Sequence, residues 1–373
     1  MAVVRRARLR DFRAHAHADA TLGERLTVVH GPNGAGKTNL LEALYFGCTG
    51  RSCRTAADRE LVRFDAPALR VELEVSCADG DHQLAVGYDR SGDKRFTADG
   101  ATVERLIDVP FRPLVVVFLP DRLELVKGAP AVRRGHLDQL VAGLWPVRAA
   151  HRRAYAQALA QRNALLGRVR TGSAQPSALD VWDLELGRHA LELSAVRRAA
   201  VDLVAAPCTE IAAELGLPGA TELRYRPRSS AQSAEAFAAE LAERRASDVE
   251  RGFTGHGPHR DELQILRDGR ELRLYGSQGE QRLALLALLL AERDAIAAER
   301  DAPPLLLLDD VMSELDAARR ERLVERAARV GQVVVTTTEP DHVPAAGDRD
   351  LALVHDVTRD LRPAGAVAER AAA

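Results

Sequence analysis

Apolar and polar positions alternate from the start of the chain: in residues 3–10, Val3, Ala7 and Leu9 fall on one side of an extended segment and Arg6, Arg8 and Arg10 on the other. A period of two predicts a strand with one buried face. Residues 69–76, 83–88 and Lys94–Ala98 repeat that alternation, with Asp79-Gly80 and Ser91-Gly92 between them as hairpin signals, so an antiparallel meander is expected. Residues 26–30, 114–118, 305–308 and 332–338 are instead apolar on both faces and predict fully buried strands, the last two parallel and joined by a helix over 317–329. From 132 to 215 the pattern turns helical, broken by the turn-rich residues 171–177. The second helical stretch, 178–215, would run about 57 Å and be kinked or split by Pro207, and the two stretches suit an antiparallel hairpin. Strands are then expected at 262–267 and 271–274 around Asp268-Gly269, followed by a helix over 279–300. The Ala-rich C-terminal tail is expected to fray.

Composition narrows the class. Hydrophobic residues make up 46% and charged residues 28%, and no apolar run approaches the roughly 18 residues of a membrane span. The N-terminus mixes arginine with apolar residues rather than building a signal core, so a cytoplasmic protein without membrane attachment is expected. Cys48, Cys53, Cys77 and Cys208 have neither C-x-x-C spacing nor a histidine at zinc spacing and read as reduced, packed thiols. A net charge of −2 makes no global electrostatic case for nucleic acid, so any such binding must come from local basic patches.

Gly31-Pro32-Asn33-Gly34-Ala35-Gly36-Lys37-Thr38, followed by Asn39, is a complete phosphate loop placed between a predicted strand and a predicted helix. Its glycines let backbone N–H groups curl around the β- and γ-phosphates of a nucleoside triphosphate, Lys37 adds a point charge, and Thr38 offers a hydroxyl to Mg²⁺. Far downstream, four leucines end in Asp309 and Asp310. Asp309 would hold Mg²⁺ through water, and Asp310 would orient or polarise the attacking water; the alternative is that both acids only cap the next helix.

Ser277-Gln278-Gly279-Glu280-Gln281-Arg282 opens the helix predicted after the last hairpin. A hydroxyl and a glycine at a helix N-terminus suit a γ-phosphate, and one chain cannot easily place both this segment and its own phosphate loop on one nucleotide. That points to a homodimer sandwiching ATP. An ordinary capping box from Ser277 to Glu280 has the same local form.

Together, the phosphate loop, the Ser277–Arg282 signature, the run 306–316 and Asp11-Phe12-Arg13 resemble the ABC-type ATPase heads of the SMC class and, within it, the RecF family of bacterial DNA replication and repair proteins. Residues 49–54, 119–128, 130–134 and 257–261 carry the narrower likeness. The resemblance implies an α/β fold: a split nucleotide-binding lobe from residues 1–113 and 283–373, and a helical lobe with the signature from 114–282. It further implies Mg·ATP-dependent homodimerisation, weak DNA-stimulated ATP hydrolysis, binding to DNA gaps or single-strand/double-strand junctions, and work with RecO and RecR to load RecA. By position Lys37 and Thr38 serve phosphate and Mg²⁺, Asp309 and Asp310 act on metal and water, Ser277 and Gly279 form the signature, and 313–316 form the loop crossing the dimer interface, where Asp316 also suits a helix cap.

Two departures stand out. Asp310 takes the place of a longer glutamate, which implies slow hydrolysis, and Thr336-Thr337-Thr338 stands where a switch histidine is usual. Arg13 is a candidate nucleotide contact, with a surface strand-end arginine as the alternative; no glutamine is assigned to the Q-loop. For DNA the visible patches are Arg51/Arg54, Arg133/Arg134, Arg152/Arg153 and Arg197/Arg198, each also readable as a solvated face. Aromatic residues make up only 4%, favouring duplex backbone over single-strand stacking. The rival readings are an ATP-dependent nuclease or another SMC-like ABC ATPase, and a transporter motor.

Overall fold

A computed structural model describes residues 2–344, 351–353 and 362–363; the Ala-rich tail lies outside them. Two compact units emerge, one from both chain ends (1–122 and 296–373) and one from the middle (123–295). Those joins fall at 122 and 296 rather than at 113 and 283. The apolar strand at 115–118 pairs into a sheet of the outer unit, and the helix beginning at the signature continues unbroken through residue 300.

In the outer unit β1 (Val3–Phe12) and β2 (His15–Thr21) form a hairpin, and β3 (Leu26–His30) leads into helix α1 (Lys37–Thr49). The expected meander follows as β4 (Ala68–Cys77), β5 (Gly80–Asp89), β6 (Lys94–Ala98) and the short β7 (Ala101–Val103), giving an antiparallel sheet ordered β2-β1-β4-β5-β6-β7. One face of β1 differs from the alternation read above. Its ladder with β4 slips between Val4 and Arg6, and this bulge puts Val4, not Val3, beside the buried Ala7 and Leu9. The strand β8 (Val115–Phe118) then leaves for a second sheet.

The middle unit begins with the turn α2 (Glu124–Lys127) and helices α3 (Pro130–Leu144), α4 (Ala150–Arg170) and α5 (Leu179–Glu214). Trp145-Pro146 separates α3 from α4, a break that the helical periodicity does not register. Ion pairs His151–Glu192 (3.1 Å) and Arg162–Asp183 (2.6 Å) join positions of nearly constant index sum, the mark of the antiparallel hairpin expected for α4 and α5. Arg162 is fully buried and also donates to Asp248 and Thr254, both at 2.8 Å. Pro207 does not split α5. The carbonyl it leaves without a donor is that of Leu203, on the exposed side, while Val204, Cys208 and Ile211 hold the other side in the core.

Beyond α5 come β9 (Thr221–Arg226), α6 (Ala234–Arg251), β10 (Glu262–Arg267) and β11 (Arg270–Glu271). The segment 271–274, expected to be a strand, instead becomes the helical turn α7 (Leu272–Tyr275), because β11 pairs with β10 for only two residues. Helix α8 (Gln278–Arg300) leads back to the outer unit.

There β12 (Leu305–Leu308), α9 (Ala317–Ala328), β13 (Val333–Thr337), β14 (Leu351–Leu353) and β15 (Arg362–Pro363) complete a sheet ordered β15-β14-β3-β13-β12-β8, parallel except for β15. Helix α1 lies between the two sheets. Leu40, Leu41, Ala43, Leu44 and Phe46 share one core with Val71, Leu73 and Val86 of the antiparallel sheet and with Val29, Val117, Leu307 and Val334 of the parallel one. The approach is close enough that a Cβ at Gly47 would lie 2.7 Å from Leu73 Cδ1.

In the middle unit His259 is held neutral: Tyr155 Oη donates to its Nδ1 (2.6 Å), and its Nε2–H donates to the Thr254 carbonyl (2.9 Å). Burial, helped by the Arg260 and Arg134 cations, pushes its pKa down to about 4. The unfolded chain, titrating near 6.5, binds the proton first as pH falls, so stability is lost progressively from about pH 6.5 to about pH 4. His259 alone should cost about 2 kcal/mol between pH 7 and pH 5 in urea unfolding, and His259→Gln should lose that increment. Identical acid sensitivity in both proteins would contradict this.

Candidate nucleotide-binding site

The register of the parallel sheet brings strand ends together: Thr337 lies opposite His30, and Leu308 lies opposite both Val335 and Phe118. Ligands of open α/β sheets gather at this carboxyl edge. The phosphate loop leaves β3 there, with Gly34 and Gly36 at φ of 82° and 94°, which side chains with a Cβ rarely adopt. Lys37 opens α1, and its Nζ donates to the carbonyls of Gly31 (2.7 Å) and Pro32 (2.9 Å). From β2 the buried His15 donates through Nε2 to the Gly36 carbonyl (3.1 Å), pinning the loop from the other sheet; burial lowers its pKa, keeping it neutral.

Asp309 follows β12. Its carboxylate accepts from Thr38 Oγ1 (3.0 and 2.9 Å) and from Thr336 Oγ1 (2.7 Å), while Thr336 Oγ1 accepts from the N–H of Asp310 (3.0 Å). The Asp309 carboxylate thus links the hydroxyl of Thr38 on α1 to that of Thr336 on β13. Asp310 makes no side-chain cap to the following helical turn, whereas Asp316 does cap α9 through the Arg319 N–H (2.9 Å). The Oδ1 of Asp310 is buried without a hydrogen-bond partner, and burial followed by the nearby Asp309 raises its pKa. Burial lowers the pKa of Lys37, against the pull of Asp310 and Asp309.

Of the other candidates, Arg13 is engaged by a residue the sequence reading passed over. Its guanidinium donates twice to Glu42 of α1 (3.0 and 2.9 Å), a carboxylate with no exposed surface. A lone acid in Leu40-Leu41-Glu42-Ala43-Leu44 was a visible signal; nothing in the sequence marked His15. Ser277 and Gly279 lie in the middle unit, both exposed. The capping box is formed there: Glu280 accepts from the Ser277 N–H (2.8 Å), and Ser277 Oγ accepts from the Glu280 N–H (3.3 Å). A Cβ at Gly279 would meet nothing within 4 Å, so packing does not demand glycine at that position.

Two of the four basic pairs need correction as surface patches. Arg133 is buried and paired with Glu262 (2.6 Å), and Arg197 is buried against Asp138 (2.8 Å) and Asp261 (3.4 Å). Arg134 donates to the Asp261 carbonyl (2.9 Å). Arg51, Arg54, Arg152, Arg153 and Arg198 are exposed.

The RecF/RecN/SMC N terminal domain family matches residues 3–359. The DNA replication and repair protein RecF of Heliobacterium modesticaldum is 39% identical over 332 residues, covering 85% of this chain and 88% of that protein. The chain belongs to the RecF family. RecF of Anaeromyxobacter sp. is 40% identical over 351 residues, covering 91% of this chain and 93% of its own. Among solved structures, the recombination mediator protein RecF with ATP, of the RecFOR pathway, superposes with a TM-score of 0.85 at 26% identity, covering 97% of each chain. An Smc head bound to the C-winged helix domain of ScpA shares the fold, with a TM-score of 0.60 at 16% identity over 98% of this chain and 99% of that one. This RecF-family chain therefore has the α/β fold of an ABC-type ATPase head. Among its described residues, no helix is long and apolar enough to cross a membrane.

The hydroxyl of Thr336 holds two elements of this RecF-family site at once. Thr336→Val should leave the Asp310 N–H without its acceptor and lower unfolding stability by about 1–3 kcal/mol. Urea denaturation checks this, and a change below a few tenths of a kcal/mol would rule out the bridge.

Proposed function

We propose that this chain is an ATP-dependent DNA-binding protein of replication and recombinational repair, whose two copies close on Mg·ATP and whose hydrolysis reopens them. The observation that carries the reading is the pairing of the phosphate loop with an acidic strand end: Thr38 Oγ1 within 3.0 Å of Asp309, beside the unpartnered Oδ1 of Asp310. A hydroxyl and a carboxylate converging as hard oxygen donors fit Mg²⁺, held by Thr38 and, through water, by Asp309. When bound, Mg²⁺ would neutralise charge on the β- and γ-phosphates. The chain's own groups do the rest: Lys37 is freed from two carbonyls to meet phosphate, and the empty acceptor on Asp310 takes a hydrogen bond from the attacking water. The raised pKa of Asp310 makes it a better proton acceptor.

Family membership supports the DNA and repair assignment, and a relative of the RecFOR pathway supports partnership with RecO and RecR at gapped or junction DNA. Turnover is slow because Asp310 is one methylene shorter than glutamate, and DNA accelerates it. The protein acts in the cytoplasm. Ser277 and the start of α8 meet the γ-phosphate held by the other copy, where the open side of Gly279 allows close approach.

Asp310→Asn should bind Mg·ATP normally but hydrolyse it about 10²–10⁴-fold more slowly, prolonging the dimer on DNA, whereas Asp309→Asn should weaken Mg·ATP binding itself. Equal loss of nucleotide affinity in both, by titration calorimetry, would show that the roles are divided wrongly.

Ser277→Arg should keep ATP affinity as a monomer yet lose ATP-induced dimerisation and turnover, and Lys37→Met should lose both through failed phosphate binding. Mixing the two variants restores one composite site of intact loop and intact signature. Sedimentation with ATP turnover measures each. A folded Ser277→Arg protein that dimerises like wild type would leave the capping box as the whole role of Ser277.

A further inference from the structure

Helix α1 ends at Gly50, and residues 51–58 wrap around a surface cleft of about 520 Å³ lined by Arg51, Arg54, Lys94, Asp58, Ser52 and Thr55, with Cys53 and Ala56. Its shape is set by local bonds: Ser52 Oγ accepts from the N–H groups of Arg54 (2.9 Å) and Thr55 (3.1 Å) and donates to the buried Glu42. Three cations line the cleft against one carboxylate. Asp58 is already neutralised by Lys94, whose Nζ also donates to the Gly50 carbonyl (2.8 Å) and sits over the Phe46 and Tyr88 rings. Glu42, behind the cleft, is taken by Arg13 and Ser52 and reaches Arg54 only at 3.5 Å. Glu60 reaches the rim through the Thr55 hydroxyl (2.8 Å). Arg51 is exposed and makes no ion pair among the described residues. Burial and the neighbouring Glu42 push the Cys53 thiol up to about 12, so it brings no negative charge to the wall.

We infer that this cleft seats a phosphodiester of the nucleic-acid backbone, gripped by the guanidinium groups of Arg51 and Arg54. The chemistry is that of an oxyanion, because the lining offers forked N–H donors and hydroxyls but no aromatic ring on which a base would stack. The inference rests on the proposed DNA-binding function and names where that binding occurs. It also gives DNA a route to the nucleotide site. Glu42 lies one helical turn beyond Thr38 on α1, and a phosphate that draws Arg54 away changes the partners of a fully buried carboxylate on the helix that carries the phosphate loop.

The test uses the full-length protein with Mg·ATP and a labelled gapped duplex, read by fluorescence anisotropy over a series of salt concentrations. Arg51→Ala should weaken DNA binding about tenfold and reduce the salt slope by about 1, with a larger loss for Arg51→Glu and a loss of DNA-stimulated turnover. Arg153→Ala, which removes an exposed arginine elsewhere, should weaken binding far less. Wild-type affinity in Arg51→Ala, or an equal loss in Arg153→Ala, overturns the cleft. Calorimetry with inorganic phosphate separates the two sources of oxyanion: phosphate binding that Arg51→Ala abolishes while DNA affinity stays intact assigns the cleft to a free anion and overturns the proposal. A wild-type protein that binds no DNA in ATP sinks the functional reading itself, whereas binding that ignores Arg51 sinks only this site.

Discussion

Everything at the nucleotide site depends on the burial of α1 between two sheets. A phosphate loop is a strained turn whose N–H groups must converge on one point, and it keeps that form only if the helix it opens cannot shift. Here Leu40, Leu41 and Leu44 are locked against both sheets, and Gly47 lets the helix approach Leu73 closely enough that added bulk would displace it. The antiparallel sheet is therefore part of the site without lining it. Its β2 reaches the loop directly through His15, so the two sheets clamp the turn from either side.

The acidic half of the site is fixed by a different means. Asp309 and Asp310 follow a strand of four leucines buried on both faces, which sets their depth, while the hydroxyls of Thr38 and Thr336 orient the Asp309 carboxylate. One hydroxyl comes from the first turn of α1 and the other from strand β13. A movement of β13 would thus be felt at Asp309 and Asp310 together, since Thr336 bonds the side chain of one and the backbone of the other.

Local signals were legible in the sequence where chemistry and period coincide. The strand–glycine turn–helix at 26–49, the leucine run before Asp309 and the meander at 68–98 all took the expected form. What the sequence hid was long-range pairing. Arg133 and Arg197 look like solvated charges, since nothing in their neighbourhood reveals carboxylates such as Glu262 and Asp261 that lie far along the chain yet bury them. The bulge at β1, the helical turn at 272–275 and the place of β8 beside β12 likewise depend on partners remote in sequence. Ser277 forms its local capping box, whereas Arg13 is taken by Glu42, a partner remote in sequence.

The α4–α5 hairpin carries an evolutionary consequence. Its two helices are tied near their tip by Arg162, which binds Asp183 of the opposite helix and Asp248 of α6, and they reverse through the exposed turn at 171–178. Lengthening beyond that tie is neutral only when both helices gain equal numbers of residues, so that the register below it is untouched. Such a hairpin lengthens into a coiled arm by paired increments at the tip, leaving the packing of its own base unaltered. The fold it shares with Smc heads is the one such growth would preserve.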